Sequence, residues 1–464
     1  MADTHEEEAR TDFKTFGTIW IGQLVSLVGS GLTGFALGIW VLEHTQSVTQ
    51  FTLTIFFAGL PGIFFGPIAG ALVDRWNRRW VMFWTDVGPG IVTLVYAYLL
   101  WQGKLEVWHV YIGVVVNAFF GAFQWPAYVA AVTMLVARKD YGRVNGMIEF
   151  GQAAVTIAAP GIAGFLMLSI GLPAILVIDF ATFLFAAGAL LLIRIPQPPM
   201  SEEGRKAKGS IWKEAAYGWT FIRERPGLFN LLLFFAVTNL VGAMCGILVM
   251  PMVLGFANKA AVGTIMSLVG IGTLIGGFIM ASTGGPKPRV YGVLGGGLVM
   301  TVAFVLIGLK PNLWLVGVGV VIWYIMNPII NASSQTIWRS KVPADLQGRV
   351  FAVRRVIAQF TVPLGDFSAG PVADRIFNPL LIAGGALSGS AIARVIGVGP
   401  GRGIALLFLT MAAVPALATL WGFLNPRVRN VETELPDIAP PRRAAPPPEE
   451  PKAEEAPTEA AAQA

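Results

Sequence analysis

The 464-residue chain is 55% hydrophobic and only 13% charged, with a mean hydropathy of +0.66, whereas soluble domains carry about a quarter charged residues. A water-exposed surface cannot be built from that composition, so soluble enzymes and nucleic-acid-binding domains are excluded despite the formal charge of +6. The single Cys245 rules out an intrachain disulfide framework or a cysteine metal cluster, and His5, His44 and His109 fall in a tail and at span edges, so no metal and no cofactor is expected.

A helix needs about 20 apolar residues to cross a hydrocarbon core of ~30 Å, whereas barrel strands are about half as long and alternate in polarity. Apolar runs of helical length occupy 16–42, 51–73, 80–101, 107–135, 144–168, 171–193, 227–254, 260–282, 290–308, 312–336, 350–373 and 404–425. The expected fold class is therefore an all-α membrane protein of 12 transmembrane helices.

Ahead of the first span, Met1 to Asp12 is acidic and polar and lacks the basic flank and short apolar core of a secretory signal. The first membrane helix is therefore expected to be retained, with residues 1–15 a cytoplasmic N-terminal segment. With that orientation the outer loops hold only Lys104, Lys259, Lys310, Arg375, Arg394 and Arg402 of the 33 basic residues. This positive-inside asymmetry puts both termini in the cytoplasm and the chain in the plasma (inner) membrane. Trp20, Trp40, Trp80, Trp101, Trp108, Trp314 and Trp421 sit near span ends, where they serve either as interfacial anchors or as ordinary packing residues.

In the second span Gly62, Gly66 and Gly70 recur at intervals of four and are followed at the same interval by Asp74 and Arg78. One helix face thus admits a close neighbour and ends in charge. The run Gly70-Ala-Leu-Val-Asp74-Arg75-Trp-Asn-Arg78-Arg79 resembles the loop signature between helices two and three of the major facilitator superfamily, with Asn77 where that family often has glycine. The resemblance covers about residues 12–430. It implies that Gly70, Asp74, Arg75, Arg78 and Arg79 form a cytoplasmic gate whose acid contacts the end of a helix in the other half. The second half keeps Gly276, Gly277, Lys287 and Arg289 before its third span but no acid, so the gate is expected to be one-sided.

Asp86 follows in the third span, near enough to Arg78 or Arg79 to pair with either. In the fifth span Ala159-Pro160-Gly161-Ile-Ala-Gly164 predicts a kink and a close helix approach, and it is similar to a Gly-Pro-x-x-Gly-Gly motif of the superfamily's drug and proton antiporters. Residues 194–226 then turn charged and Pro-broken. Ile211, Trp212, Ala215, Trp219 and Ile222 recur there at helical spacing, which predicts an amphipathic linker helix.

Tyr141-Gly-Arg143-Val before span five and Gln347-Gly-Arg349-Val before span eleven occupy equivalent loops. The expected architecture is two six-helix pseudo-symmetric bundles, 16–193 and 227–430. Asn378 to Gly403 is expected to be an outer loop that dips back. Residues 431–464, rich in Pro, Ala and Glu, read as a disordered cytoplasmic tail.

Ionisable groups inside spans default to function. Glu149, Asp179, Asp366, Asp86 and Arg355 are the coupling candidates; Glu149 leads, with a structural pair to Arg143 or Arg355 as its plainer alternative. The resemblance implies that helices one, four, seven and ten line the solute cavity. Their polar residues Gln23, Ser26, Asn117, Gln124, Asn239, Asn327, Asn331 and Gln335, beside Trp125, suit a bulky amphiphile, although each amide can equally be helix glue. No Walker-type phosphate loop occurs.

The linker run Glu214-Ala-Ala-Tyr-Gly-Trp-Thr-Phe-Ile-Arg-Glu-Arg-Pro226 and the sixth-span run Val177-Ile-Asp179-Phe-Ala-Thr-Phe further resemble the superfamily's macrolide and siderophore exporter branch. The resemblance implies a secondary active transporter working by alternating access, exporting a drug-, macrolide- or siderophore-like amphiphile in exchange for a proton or other coupling ion. The lipid bilayer is its setting, the monomer its expected state, and nucleic acid is not a partner. The alternatives are a lipid or lysophospholipid translocator, a non-transporting membrane scaffold or sensor and, more weakly, a nutrient importer.

Overall fold

The computed structural model describes residues 11–73, 76–137, 140–193, 219–343 and 346–434. Asp74, Arg75, most of the predicted linker helix and the tail beyond 434 lie outside the described residues. Among the described residues twelve long helices follow one another: α1 Phe13–Thr45, α2 Val48–Val73, α3 Arg78–Trp101, α4 Val107–Leu135, α5 Tyr141–Ser169 and α6 Gly171–Leu192, then α7 Pro226–Leu254, α8 Lys259–Thr283, α9 Arg289–Leu309, α10 Leu313–Lys341, α11 Gln347–Val372 and α12 Arg402–Leu424. All except α11 are long and apolar enough to cross a membrane. Helix α11 falls short because Arg354, Arg355 and Asp366 interrupt its hydrophobicity.

The helix starts are legible in the side chains that cap them. Asp12 accepts from the Thr15 amide at 2.9 Å and from the Thr15 hydroxyl at 2.6 Å, opening α1. That hydroxyl bond, more than any other influence, holds the Asp12 carboxyl below the usual carboxylate range. Asn77, the departure from the family pattern, accepts from the amides of Arg79 and Trp80 and so serves as the N-cap of α3. Asn258 and Asn312 do the same for α8 and α10. Pro226 stands in the first turn of α7, where a missing N–H costs nothing.

Helices α1–α6 pack among themselves, α1 against α5 and α6, and α4 against α2 and α3; α7–α12 repeat this with α8 and α9 on α10 and α7 on α11. The halves meet mainly where α5 lies on α8 and α2 on α11. The expected outer loop is built rather than loose: α11 continues through a π-turn, Ala373–Phe377, into Asn378–Leu381, and Ala391–Ile396 forms a further short helix before α12. Because twelve helices return the chain to its starting side, residues 11 and 434 share one end of the bundle, called here the near face. The opposite end is the far face.

Close helix approach occurs where α5 predicted it. A Cβ on Gly164 would lie 2.6 Å from the Lys259 carbonyl oxygen and 3.2 Å from the Cα of Gly263, and one on Gly161 would lie 2.9 Å from the Ser267 hydroxyl. Pro160, inside α5, packs its carbonyl against Gly263. In α2 the outcome differs from expectation: among the described residues, no atom of another helix lies within 4 Å of a Cβ built on Gly62 or Gly66. The reason is that α2 meets α11 near its far end, where Phe56 and Phe367 sit 5.2 Å apart, and the glycines further along face open space.

Candidate functional site

The best-built polar constellation lies inside the first half, where Gln23 of α1, Thr85 and Asp86 of α3 and Gln124 of α4 meet. Gln23 of α1 donates from Nε2 to Asp86 Oδ2 at 2.8 Å. Gln124 of α4 donates from Nε2 to Asp86 Oδ1 at 3.0 Å and to Gln23 Oε1 at 2.5 Å. The Thr85 hydroxyl completes the ring by donating to Gln124 Oε1. Asp86 is 2% exposed, so its carboxylate depends on these amides rather than on bulk water.

Local sequence explains the placement. Pro89 lies one turn beyond Thr85–Asp86 in α3, and Pro126 follows Gln124–Trp125 in α4. A proline in a helix interior removes an amide donor and bends the backbone, opening space between these helices at the polar level.

A cavity of about 430 Å³ adjoins the cluster. Its walls include Ser26, Asn117, Trp125, Tyr128, Asp179 and Phe183, and no Lys, Arg or His is among the described lining residues. Asp179 of α6 accepts from the Thr93 hydroxyl at 3.1 Å. The Asn117 Oδ1 atom is buried without a hydrogen-bond partner among the described residues, which leaves an acceptor for a donor on a ligand. The cavity therefore offers two carboxylates, the four side-chain amides of Gln23, Asn117, Gln124 and Gln152, and aromatic walls.

The second half holds a smaller cavity of about 220 Å³ lined by Thr238, Asn239, Trp323, Tyr324, Asn327 and Asn331. Asn331 donates to the Asn327 carbonyl and side-chain oxygens, both at 2.9 Å. Gln335 is not part of it: its Oε1 accepts from Arg354 at 2.7 Å. Arg354 also donates to the Ser334 hydroxyl at 2.9 Å and lies 5.1 Å from the Trp338 ring centroid.

The coupling candidates separate. Asp86 and Asp179 line the first cavity. Glu149 and Arg355 are exposed, Asp366 is half-buried, and none of the three lines either cavity. Asp86 does not pair with Arg79, whose guanidinium donates instead to the carbonyl oxygens of Leu190 and Leu191 at 2.8 and 2.7 Å, closing the end of α6. In sequence Glu149 ranks ahead of Asp86 because it lies about two turns inside span five, while Asp86 reads as a pair for Arg78 or Arg79 near the inner boundary. The usable signal was that Gln23 and Gln124, each named for the cavity, need a common acceptor.

A third, aromatic groove of about 420 Å³ opens on the near half of α3 and α4, lined by Trp76, Trp80, Trp84, Phe119, Phe120 and Phe123. Thr85 borders both this groove and the first cavity. Among the described residues no group of His, Cys, Asp and Glu is arranged to hold a metal ion.

Twelve long helices in two halves, enclosing polar cavities within an apolar exterior, define a polytopic membrane carrier of small solutes. The chain belongs to the Major Facilitator Superfamily, whose sequence profile matches residues 19–366; the family and the relatives found are transporters rather than enzymes. Macrolide efflux protein A of Streptococcus pyogenes is 26% identical over 369 residues, spanning 78% of this chain and 90% of that protein. The multidrug efflux pump Tap of Mycolicibacterium fortuitum is 25% identical over 371 residues, spanning 77% and 88%. Among solved structures, a bacterial homolog of the human lysosomal transporter Spinster, inward-facing and unoccupied, superposes with a TM-score of 0.66 at 16% identity, covering 92% of this chain and 98% of that one.

Proposed function

We propose that the protein is a proton-coupled exporter of a bulky amphiphile carrying a basic nitrogen, working by alternating access with both termini in the cytoplasm. The observation that carries this reading is the first cavity: Asp86 held by Gln23 and Gln124, Asp179 on the same wall, and no basic side chain among the described lining residues. A cavity of about 430 Å³ falls in the range of small-molecule sites. Its Trp, Tyr and Phe walls favour an apolar body, and its two acids favour a cation. Acids inside spans mark proton pathways, and Asp86 and Asp179 stand where a substrate cation and a proton would compete for one carboxylate. That competition is the simplest basis for exchange.

The similarity to macrolide and multidrug efflux proteins supports the direction and makes an aminosugar-bearing macrolide the first substrate to test. The concentration of basic residues in the near-face loops supports the orientation. Accumulation of such a compound in inverted membrane vesicles, driven by an imposed pH gradient, tests the reading; accumulation indifferent to that gradient sinks the coupling.

A second reading, translocation of a lysophospholipid, draws on the aromatic groove that meets the cavity at Thr85. Movement of a fluorescent lysolipid in liposomes without any gradient would favour it over proton exchange.

A further inference from the structure

The far end of α11 carries a feature that the gate in the first inner loop does not explain. Gly370-Pro-Val-Ala-Asp374-Arg375 repeats the pattern Gly70-Ala-Leu-Val-Asp74-Arg75, but it lies at the opposite face and in the other half. Its acid is fully engaged. Asp374 Oδ2 accepts from the Thr49 amide at 2.7 Å, the Thr49 hydroxyl at 2.8 Å and the Ser47 hydroxyl at 3.0 Å. Its Oδ1 accepts from the Val48 amide at 3.3 Å and from Asn378 Nδ2, also at 3.3 Å.

Apart from Asn378, these donors are the first two residues of α2 and Ser47 just before it. The opening amides of a helix have no partner within it, and a carboxylate there is favoured by both the hydrogen bonds and the helix dipole. What is unusual is that the cap comes from the other half of the molecule. Gly370, one turn before the acid, makes the approach possible: a Cβ there would lie 2.9 Å from the Thr49 nitrogen and would also run into Thr52. Nearby, Lys259 at the start of α8 pairs with Glu43 at the end of α1, Nζ to Oε2 2.9 Å, a second polar tie between the halves at the same face.

The geometry points to a far-face latch, in which Asp374 caps α2 across the two halves and holds that face shut, with Gly370 as the seat and the Glu43–Lys259 pair as its companion. Stated as a gate this rests on the alternating-access reading, because only then must the contact break in each cycle. A far-open arrangement would separate α2 from α11 here and expose four donors of the α2 N-terminus that Asp374 now satisfies. The latch thus sets the population of the far-closed state, and substrate chemistry plays no part in it. The second half is not merely missing the acid of the near-face gate; it places a Gly-x-x-x-Asp-Arg sequence at the other side of the membrane.

The test is a distance measurement between spin labels on exposed far-face positions of opposite halves, Gln102→Cys and Lys310→Cys, in a Cys245→Ala background and without substrate. Asp374→Ala should raise the far-open population by roughly threefold or more over the parent. Ser47→Ala combined with Thr49→Ala, which removes two hydroxyl donors and leaves the chain otherwise intact, should shift it in the same direction by less, and Asp374→Asn should fall between. An unchanged distance distribution in a folded Asp374→Ala protein overturns the latch. If Asp374→Ala does not fold, an unchanged distribution in the Ser47→Ala, Thr49→Ala protein overturns it instead. Because the measurement uses no solute, a shifted population in a protein that moves no amphiphile supports the latch while the proposed function fails alone.

Discussion

Gly164 of α5 lies against Gly263 of α8, so that a Cβ on Gly164 would sit 3.2 Å from the Gly263 Cα and 2.6 Å from the Lys259 carbonyl oxygen. Two helices from different halves therefore touch backbone to backbone. Without a hydrophobic effect between helices in lipid, such contact is a main source of association.

Gly164→Ala is expected to force the two helices apart at this point. Overpacking of this kind costs about 1–3 kcal/mol, so thermal unfolding of the detergent-solubilised protein should begin several degrees lower. Gly62→Ala, at a position with open space around it, should leave the unfolding temperature near that of the parent. Equal effects of the two substitutions would show that the α5–α8 seam is not tight.

Arg354 ties α11 to α10 through Ser334 and Gln335. Hydrogen bonds to a charged group contribute about 1.5–3 kcal/mol, and Arg354→Ala should lower stability by an amount of that order. Arg354→Lys should recover only part of it, because an ammonium cannot reproduce the guanidinium fork or its stacking on Trp338. Urea or thermal unfolding of the three proteins checks the order.

Glu432 reaches back to the start of α9, where its Oε2 accepts from the Val290 amide at 2.8 Å. Its own carbonyl accepts from Lys341 Nζ at 2.5 Å. Glu432→Ala should cost about 1 kcal/mol, the usual value of a lost helix cap, whereas Glu432→Gln keeps an acceptor and should cost less. Amide hydrogen exchange at the first turn of α9 reports the difference locally: faster exchange in the alanine protein alone is the expected result.

Within the first cavity, Gln124→Ala removes the amide that joins Asp86 to Gln23 and Thr85. It should weaken the solute's apparent affinity and alter the pH dependence of transport together, because one side chain positions both the acid and the wall. Glu149→Gln, an exposed position that lines neither cavity, should leave both unchanged. A Glu149→Gln protein that loses pH dependence would return the proton site to α5.

The twelve spans were readable because crossing a bilayer demands long apolar runs. The seventh, expected at 227–254, is the helix Pro226–Leu254. Helix α11 was found from sequence although its charges dilute the hydropathy, since span length and the repeated loop before it pointed the same way. The Pro160–Gly164 segment was readable because proline and small residues act locally through shape. What could not be read was partnership. Asp86 is one of several acids in spans, and only the folding of α1, α3 and α4 onto one another brings Gln23 and Gln124 to it. Asp374 is unreadable for the same reason: in sequence it ends a helix near an outer loop, and its contacts depend on the start of α2, more than 300 residues earlier.

Proton exchange at Asp86 is tested most directly in proteoliposomes carrying purified protein, by following uptake of a fluorescent basic macrolide into vesicles whose lumen is made acidic. The wild-type protein should concentrate the compound and discharge the pH gradient in step with it. Asp86→Asn, similar in size and able to keep one amide hydrogen bond, should fold and bind but neither concentrate the compound nor move protons. Gradient-driven accumulation by Asp86→Asn at the wild-type rate would contradict the assignment of Asp86 as the coupling acid.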